Sequence, residues 1–357
     1  MLLKAWHRYC LAMPEPARGE RFLDACACRP VDTTPVWFMR QAGRSLPEYR
    51  ALRREGSVLE AIALPELAAE LTMQPVRRYG VDAAILFSDI VVPLAAVGID
   101  IEIVAGLGPV VAEPVRTRAD LARLRPLEAD ADLPHVAETV RILTKELTVP
   151  LIGFAGMPFT LASYLVEGGP SRTFARTKEL MHADPGFFSS LLDRLADLAV
   201  AFVRTQVDAG AGAVQLFDSW AGALSRHDYE HLVLPASSKV LAGLAGLGVP
   251  RIHFGVGTGE VLDLMAGDDV EVVGVDWRVP LPRAAERVGL GKALQGNLDP
   301  AICLAPWDVV ADEVRRILDE AAELPGHVFN LGHGVLPETD PANLERIVEL
   351  VHERGRR

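Results

Sequence analysis

Pro150-Leu-Ile-Gly-Phe-Ala-Gly156 is an uncharged, apolar run of strand length that does not alternate with polar residues. A strand with one wet face alternates, so a continuous run points to a strand covered on both faces, as in a parallel sheet. Further short apolar runs occupy 35–39, 82–87, 213–217, 251–256, 272–277, 293–297 and 328–331. Amphipathic stretches of helix length separate them, most clearly at 65–79, 133–147, 185–209, 228–247 and 308–323, and a last one at 341–354 follows the eighth run. Asp184-Pro185 is a good helix start, a capping residue followed by proline at the first helical position. Eight strand–helix units in succession predict an α/β fold with an all-parallel sheet closed into a (β/α)8 TIM barrel. Residues 97–104 and 109–115, joined by Ala-Gly-Leu-Gly, predict a β-hairpin inserted after strand two. Glu167-Gly-Gly-Pro170 breaks the chain after strand three, before a short helix. A doubly wound open sheet would place a glycine-rich phosphate loop after its first strand, where this chain has Arg40-Gln-Ala-Gly-Arg44. Gly255-x-Gly257-x-Gly259 reads as a tight turn after strand five, with phosphate binding as the alternative.

The chain has 357 residues, 50% of them hydrophobic, and no linker divides it, so one barrel domain over 1–357 is expected, with 1–30 as a helical extension. The net charge of −12 would repel a polyphosphate backbone, and no Lys/Arg-rich tract offsets it, which argues against a nucleic-acid partner. No apolar run reaches the roughly 18–20 residues of a spanning helix, and the first residues lack the apolar core of a secretory signal. The expectation is a cytoplasmic protein with no membrane partner. Cys10, Cys26, Cys28 and Cys303 are too few and too unevenly spaced for a disulfide framework. Cys26-x-Cys28 has no second ligand pair at zinc spacing, so no metal is expected and these read as reduced thiols near the surface of an N-terminal helix.

In a barrel the loops that follow the strands build the active site. The polar residues there are Arg40, Gln41 and Arg44, then Ser88 and Asp89, Tyr164, Asp218, Ser219 and Trp220, Gln295 and Asn297, and His333. Several loops thus aim polar side chains at one mouth. Segment 40–54 holds Arg40, Arg44, Arg50, Arg53 and Arg54 against one acid, Glu48, and no lysine. A guanidinium fork matches a carboxylate with two bonds, each contributing about 1.5–3 kcal/mol, which a lysine cannot copy. The loop therefore suits a ligand with several carboxylates, contacted by Arg40 and Arg44; Arg53 and Arg54 alone would read as a salt-bridged helix face. Asp89 follows Ile85-Leu-Phe87, which puts its carboxylate at the base of the cavity, where a lone charge costs several kcal/mol. Either loop amides or an arginine satisfy it, or it meets a ligand with N–H donors or positive charge. Asp218 could equally brace its own loop. His333 lies between glycines in Asn330-Leu-Gly-His-Gly334, which allow close backbone approach. For His333, Tyr164 and Ser219, ligand contact and a structural role stand side by side.

Together these residues resemble the uroporphyrinogen decarboxylase family. Pro35-Val-Trp-Phe-Met-Arg-Gln-Ala-Gly-Arg44 with Leu46-Pro-Glu-Tyr-Arg50 is similar to its N-terminal signature. Phe87-Ser-Asp-Ile90, Tyr164-Leu-Val-Glu-Gly-Gly169, Leu216-Phe-Asp-Ser-Trp220, Gln295-Gly-Asn-Leu-Asp-Pro300 and Asn330–Gly334 resemble later motifs, in the family's order from about Phe22 to the C-terminus. Ser45 departs from the tyrosine common at its place. The resemblance implies that Arg40, Gln41, Ala42, Gly43 and Arg44 line the substrate site, with Arg44 and Arg53 gripping carboxylates. It implies that Asp89 accepts hydrogen bonds from pyrrole N–H groups, that Tyr164, Ser219 and His333 are further substrate contacts, and that the protein is a homodimer acting in porphyrin and haem synthesis.

The implied substrate, uroporphyrinogen III, carries four acetates and four propionates. Loss of carbon dioxide from an acetate needs an electron sink, which a protonated pyrrole supplies without any cofactor. Asp89 is expected to stabilise that cation, while the arginines position the reacting arm. Arg40 is the first choice of acid, acting through a bound substrate carboxyl or water because a guanidinium alone is a poor proton donor; His333 is the alternative by its ordinary pKa, although its place suggests propionate binding. Two rivals share the scaffold. A corrinoid-dependent methyltransferase needs a zinc set such as His-x-Cys, and His253-Phe-Gly255 has no cysteine; a tetrapyrrole carrier would need the arginines but not Asp89.

Overall fold

A computed structural model describes residues 20–53, 56–104, 106–289 and 291–356. Cys10, Arg54 and most of the expected N-terminal extension lie outside the described residues. The strands are β1 Ala84–Ile85, β2 Ile101–Val104, β3 Gly108–Val111, β4 Leu151–Gly156, β5 Ala213–Asp218, β6 Arg251–Gly255, β7 Val272–Gly274, β8 Ala293–Gln295 and β9 His327–Val328. Seven of them form one parallel sheet in the order β1-β4-β5-β6-β7-β8-β9, and β2-β3 is the separate antiparallel hairpin. Every residue of β4 is buried, which is what the uninterrupted apolar run predicts.

The expected first strand, 35–39, survives as a single parallel bridge between Val36 and Phe329. The reason lies in its N–H groups. Pro35 has none, and those of Val36, Phe38 and Met39 donate to side chains of Asp82 (2.8 Å), Gln41 (3.0 Å) and Asn330 (3.0 Å). Trp37 N still donates to Phe329 O, and Asp82 N donates to Val36 O. The segment therefore sits between β9 and β1 and closes the curled sheet. Inside, Trp37 Nε1 donates to Gln295 Oε1 (3.0 Å), and Gln295 Nε2 to Gln215 Oε1 (2.8 Å), a buried polar layer across the barrel.

The helices match the periodic stretches closely at Pro65–Tyr79, Pro185–Ala209 and Pro341–Arg354. Asp184 caps the second of these by accepting from Phe187 N at 3.0 Å, worth about 1 kcal/mol. From the same helix, Gln206 clamps β4 through Phe154 N and Phe154 O. A Cβ on Gly153 would come within 2.7 Å of the Gln206 amide, so only glycine admits that clamp. The stretch at 228–247 is not one helix: a π-helical turn, Tyr229–Val233, precedes Leu234–Gly243. Pro235 explains the break, since it lacks an N–H and its ring crowds the carbonyl four residues earlier. The hairpin is shorter than expected because Val115 N donates to Leu165 O and Val111 N to Gly168 O, packing it on the Pro158–Glu167 helix. Cys26 corrects the surface reading: it is in the core, while Cys28 is half-buried.

At the N-terminal end of the barrel, fully buried Asp82 accepts from Val36 N (2.8 Å), Arg21 Nη1 (2.8 Å) and His352 Nε2 (2.7 Å). One carboxylate thereby joins the helix Arg21–Cys26, the closing segment and the helix Pro341–Arg354. Among the described residues no helix is long and apolar enough to cross a membrane.

Candidate active site

Two adjoining cavities, of about 220 and 460 Å³, share Arg40, Ala42, His333 and Gly334 as walls and so make one mouth. The first is floored by aromatic rings. Phe217 meets Phe154 edge-on at 5.5 Å and Phe254 at 6.0 Å, and Phe87, Ile85 and Met39 continue the apolar lining. Such walls lower the local dielectric and strengthen any charge interaction inside.

Arg40 stands at φ +59, a conformation rare for a residue with a side chain. The side-chain bonds to Phe38 N and Met39 N hold the preceding turn. A Cβ on Gly334 would lie 2.5 Å from Arg40 Cδ and 3.1 Å from its Cβ, so glycine at 334 is what lets the arginine stem lie across the mouth. Arg44 and Gly43 line the second cavity. Neither Arg40 nor Arg44 has a carboxylate partner among the described residues, whereas nearby Arg78 pairs with Glu48 and Glu345. In a chain of net charge −12, this leaves two guanidinium groups at the mouth without a direct ion pair among the described residues. The other described arginines of the loop do different work. Arg50 donates to the carbonyls of Arg44 and Ser45, and Arg53 to that of Gly56 (3.4 Å). Arg53 borders neither cavity.

Asp89 lines the first cavity, with Oδ1 accepting from Val91 N at 3.0 Å. Enclosure by protein pushes its pKa up, against the opposing pull of the Val91 and Ile90 amides and the Arg40 charge. Tyr164, on the Pro158–Glu167 helix, stacks on Trp220 at 4.1 Å. Its pKa is raised by burial first and then by the Asp89 charge. Ser219, Ser88 and Trp220 complete that wall. His333 accepts at Nδ1 from Gly334 N (2.6 Å). Burial, with Arg40 and Arg278 nearby, lowers its pKa to about 4. The ring is therefore neutral at physiological pH with its proton on Nε2, a donor and not a cation.

Other expected mouth residues point elsewhere. Gln41 is fully buried and braces the loop through Phe38 N and Ala83 O, lining neither cavity. Gln295 belongs to the barrel's inner layer, and Asn297 Nδ2 donates to the carbonyls of Asp276 and Val279. Asp218 is fully buried behind the wall. The glycine turn after β6 offers no free amide at its centre: Gly257 N donates to Asp276 Oδ2 (2.5 Å), which also holds Arg278. That arrangement is a braced turn, with a carboxylate where a phosphate would need to sit. Among the described residues no three His, Cys, Asp or Glu side chains gather as metal ligands do. The sequence reading missed the aromatic floor, because residues facing a cavity and residues facing the core sit in the same apolar runs.

A sequence model described as uroporphyrinogen decarboxylase (URO-D) matches residues 17–354. The chain belongs to the uroporphyrinogen decarboxylase family. Relatives named uroporphyrinogen decarboxylase include one from Streptomyces griseus, 62% identical over 347 residues, covering 97% of this chain and 95% of the relative. Another, from Streptomyces coelicolor, is 61% identical over 345 residues and covers 96% and 97%. Both cavities of this family member lie within the matched span. Among solved structures, a methyltransferase from Methanosarcina mazei superposes with TM-score 0.77 at 21% identity, covering 95% of this chain and 99% of that one. At that identity the likeness concerns the fold alone.

Proposed function

We propose that this chain removes the carboxyl groups of the four acetate arms of uroporphyrinogen III, giving coproporphyrinogen III and carbon dioxide in porphyrin and haem synthesis. One observation carries the reading. A single carboxylate, Asp89, lies in an aromatic-floored cavity beside Arg40, and the cavity adjoins one walled by Arg44. A macrocycle with N–H groups at its centre and carboxylates at its edge is the complement of that arrangement. Names of relatives at about 60% identity agree with it.

The chemistry follows from the substrate. Protonation of a pyrrole makes a cation; the acetate C–C bond then breaks, its electron pair enters the ring, and carbon dioxide leaves. A proton added at the freed methylene carbon gives a methyl group, and the ring returns the proton it had taken. Each carboxylate lost thus consumes one proton, and the substrate provides its own electron sink, so the route needs no cofactor. Asp89 faces the cation as it develops, fixed in advance by the Val91 amide. Arg40 is assigned to proton delivery, relayed through a substrate carboxyl or water, and Arg44 to gripping a carboxylate arm. Gly43 and Ala42 let the macrocycle approach the backbone; Tyr164, Ser219 and the Nε2–H of His333 supply further hydrogen bonds. The assigned unit is one barrel domain over 357 residues, acting in the cytoplasm as a homodimer. Anaerobic incubation with uroporphyrinogen III should yield coproporphyrinogen III with nothing added. An untouched substrate would refute the reading.

Arg44→Lys keeps the charge and removes the fork. Loss of one charge-assisted bond of about 1.5–3 kcal/mol predicts a KM raised roughly tenfold or more, and an unchanged KM would count against a two-bond grip.

The pH profile separates Asp89 from His333. Activity that needs Asp89 ionised falls as pH drops through its raised pKa, so the acid limb of kcat/KM should lie above the ordinary aspartate range. His333, lowered to about 4, stays neutral above that and adds no inflection near 6.5. The limb should persist in His333→Gln. A limb near 6.5 that vanishes in that variant would reverse the assignment.

A further inference from the structure

Behind the wall formed by Ser219 and Trp220 lies a cluster that the proposed chemistry does not use. Asp218 ends β5 and points away from the cavity, while its neighbour Phe217 forms the floor. Asp218 and His253 are fully buried. Thr160 Oγ1 donates to Asp218 Oδ1 (3.3 Å) and accepts from Trp220 N (3.4 Å). His253 Nδ1 bonds Met265 O (3.1 Å), so that nitrogen is the donor, and Nε2 faces Asp218 Oδ2 at 3.8 Å. The buried Tyr229 hydroxyl sits beside Ser237 and feels the charge of Asp218. His253 Nε2 has no hydrogen-bond partner among the described residues, and Asp218 Oδ2, Tyr229 Oη and Ser237 Oγ face one another without a well-formed hydrogen bond. A carboxylate buried with so little satisfaction destabilises a fold, and a neutral residue of its shape would serve stability better.

We propose that Asp218 is a positioning residue, anchored through Thr160 and faced by His253 and Tyr229, which fixes Ser219 and Trp220 for the macrocycle. Two connections transmit its position. Thr160 ties the carboxylate to the backbone of Trp220, and Trp220 stacks on Tyr164 (4.1 Å) and Phe174 (4.9 Å). Thr160 and Tyr164 share one helix, Pro158–Glu167, so a single buried group sets both sides of that wall. The loop between Asp218 and Tyr229 begins and ends in the same cluster.

The inference rests on the substrate proposed above. Its test is steady-state turnover of uroporphyrinogen III together with Tm for Asp218→Asn, Thr160→Val and Thr160→Ser in the full chain. Asp218→Asn should lower kcat/KM on the order of 10- to 100-fold, mainly through KM, with Tm equal to wild type or higher. Thr160→Val should show the same kinetic loss, and Thr160→Ser, which keeps the hydroxyl, should restore it. Unchanged kinetics in Asp218→Asn with an active wild type would overturn this inference alone. So would activity and Tm falling together with no rescue by serine, the mark of a merely structural cluster. A wild-type chain inert toward uroporphyrinogen would overturn the functional reading and this inference with it.

Discussion

Asp89→Asn should lower kcat by on the order of 10²- to 10³-fold while leaving KM within a few-fold of wild type. The side-chain shape is kept, and an asparagine oxygen can still accept from Val91 N as Asp89 Oδ1 does at 3.0 Å. What disappears is the charge opposite the pyrrole as it becomes cationic. The effect therefore belongs to the transition state, and ground-state binding through Arg40 and Arg44 is untouched. Stability should not suffer, because burial already works against the ionised form. Steady-state kinetics and a melting curve on one preparation check both halves. Turnover near the wild-type rate would end the mechanism.

Asp82→Asn should do the reverse, destabilising the fold by about 3 kcal/mol or more with little change in kcat/KM measured well below Tm. Asp82 is fully buried and accepts from three donors, on Arg21, Val36 and His352. An amide there turns an N–H toward at least one of them and leaves a buried guanidinium short of its counter-charge. Arg21 also grips Asp32, but Asp32 is partly exposed. Asp32→Asn should therefore cost less, roughly 1 kcal/mol. Equal melting temperatures for Asp82→Asn and wild type would show that the junction is not what closes the barrel.

Asp82 and Asp89 flank the same short strand, and as letters they are alike. Their difference is direction. In a barrel the N-terminal ends of strands carry stability and the C-terminal ends carry chemistry, so Asp89 was legible as a cavity residue from its place after Ile85-Leu-Phe87. The threefold role of Asp82 was not, since Arg21 and His352 lie 61 and 270 residues away. The arginine loop was half legible. Its composition announced a carboxylate ligand, yet of its described arginines only Arg40 and Arg44 reach the mouth, and Gln41, adjacent in sequence, turns inward to Phe38 and Ala83. Spacing could not separate them, because the turn at Arg40 has a positive φ that no local pattern requires.

By itself the sequence determined the sheet type, most of the helices and the strand ends where polar groups collect. Those depend on periodicity and punctuation, which are local properties of the chain. Only the tertiary structure decided that 35–39 would be reduced to one bridge, that Phe154, Phe217 and Phe254 would meet as a floor, and that Asp218 would face away from it. Each of these turns on which distant group takes a hydrogen bond or fills a space, and that is settled when the barrel closes.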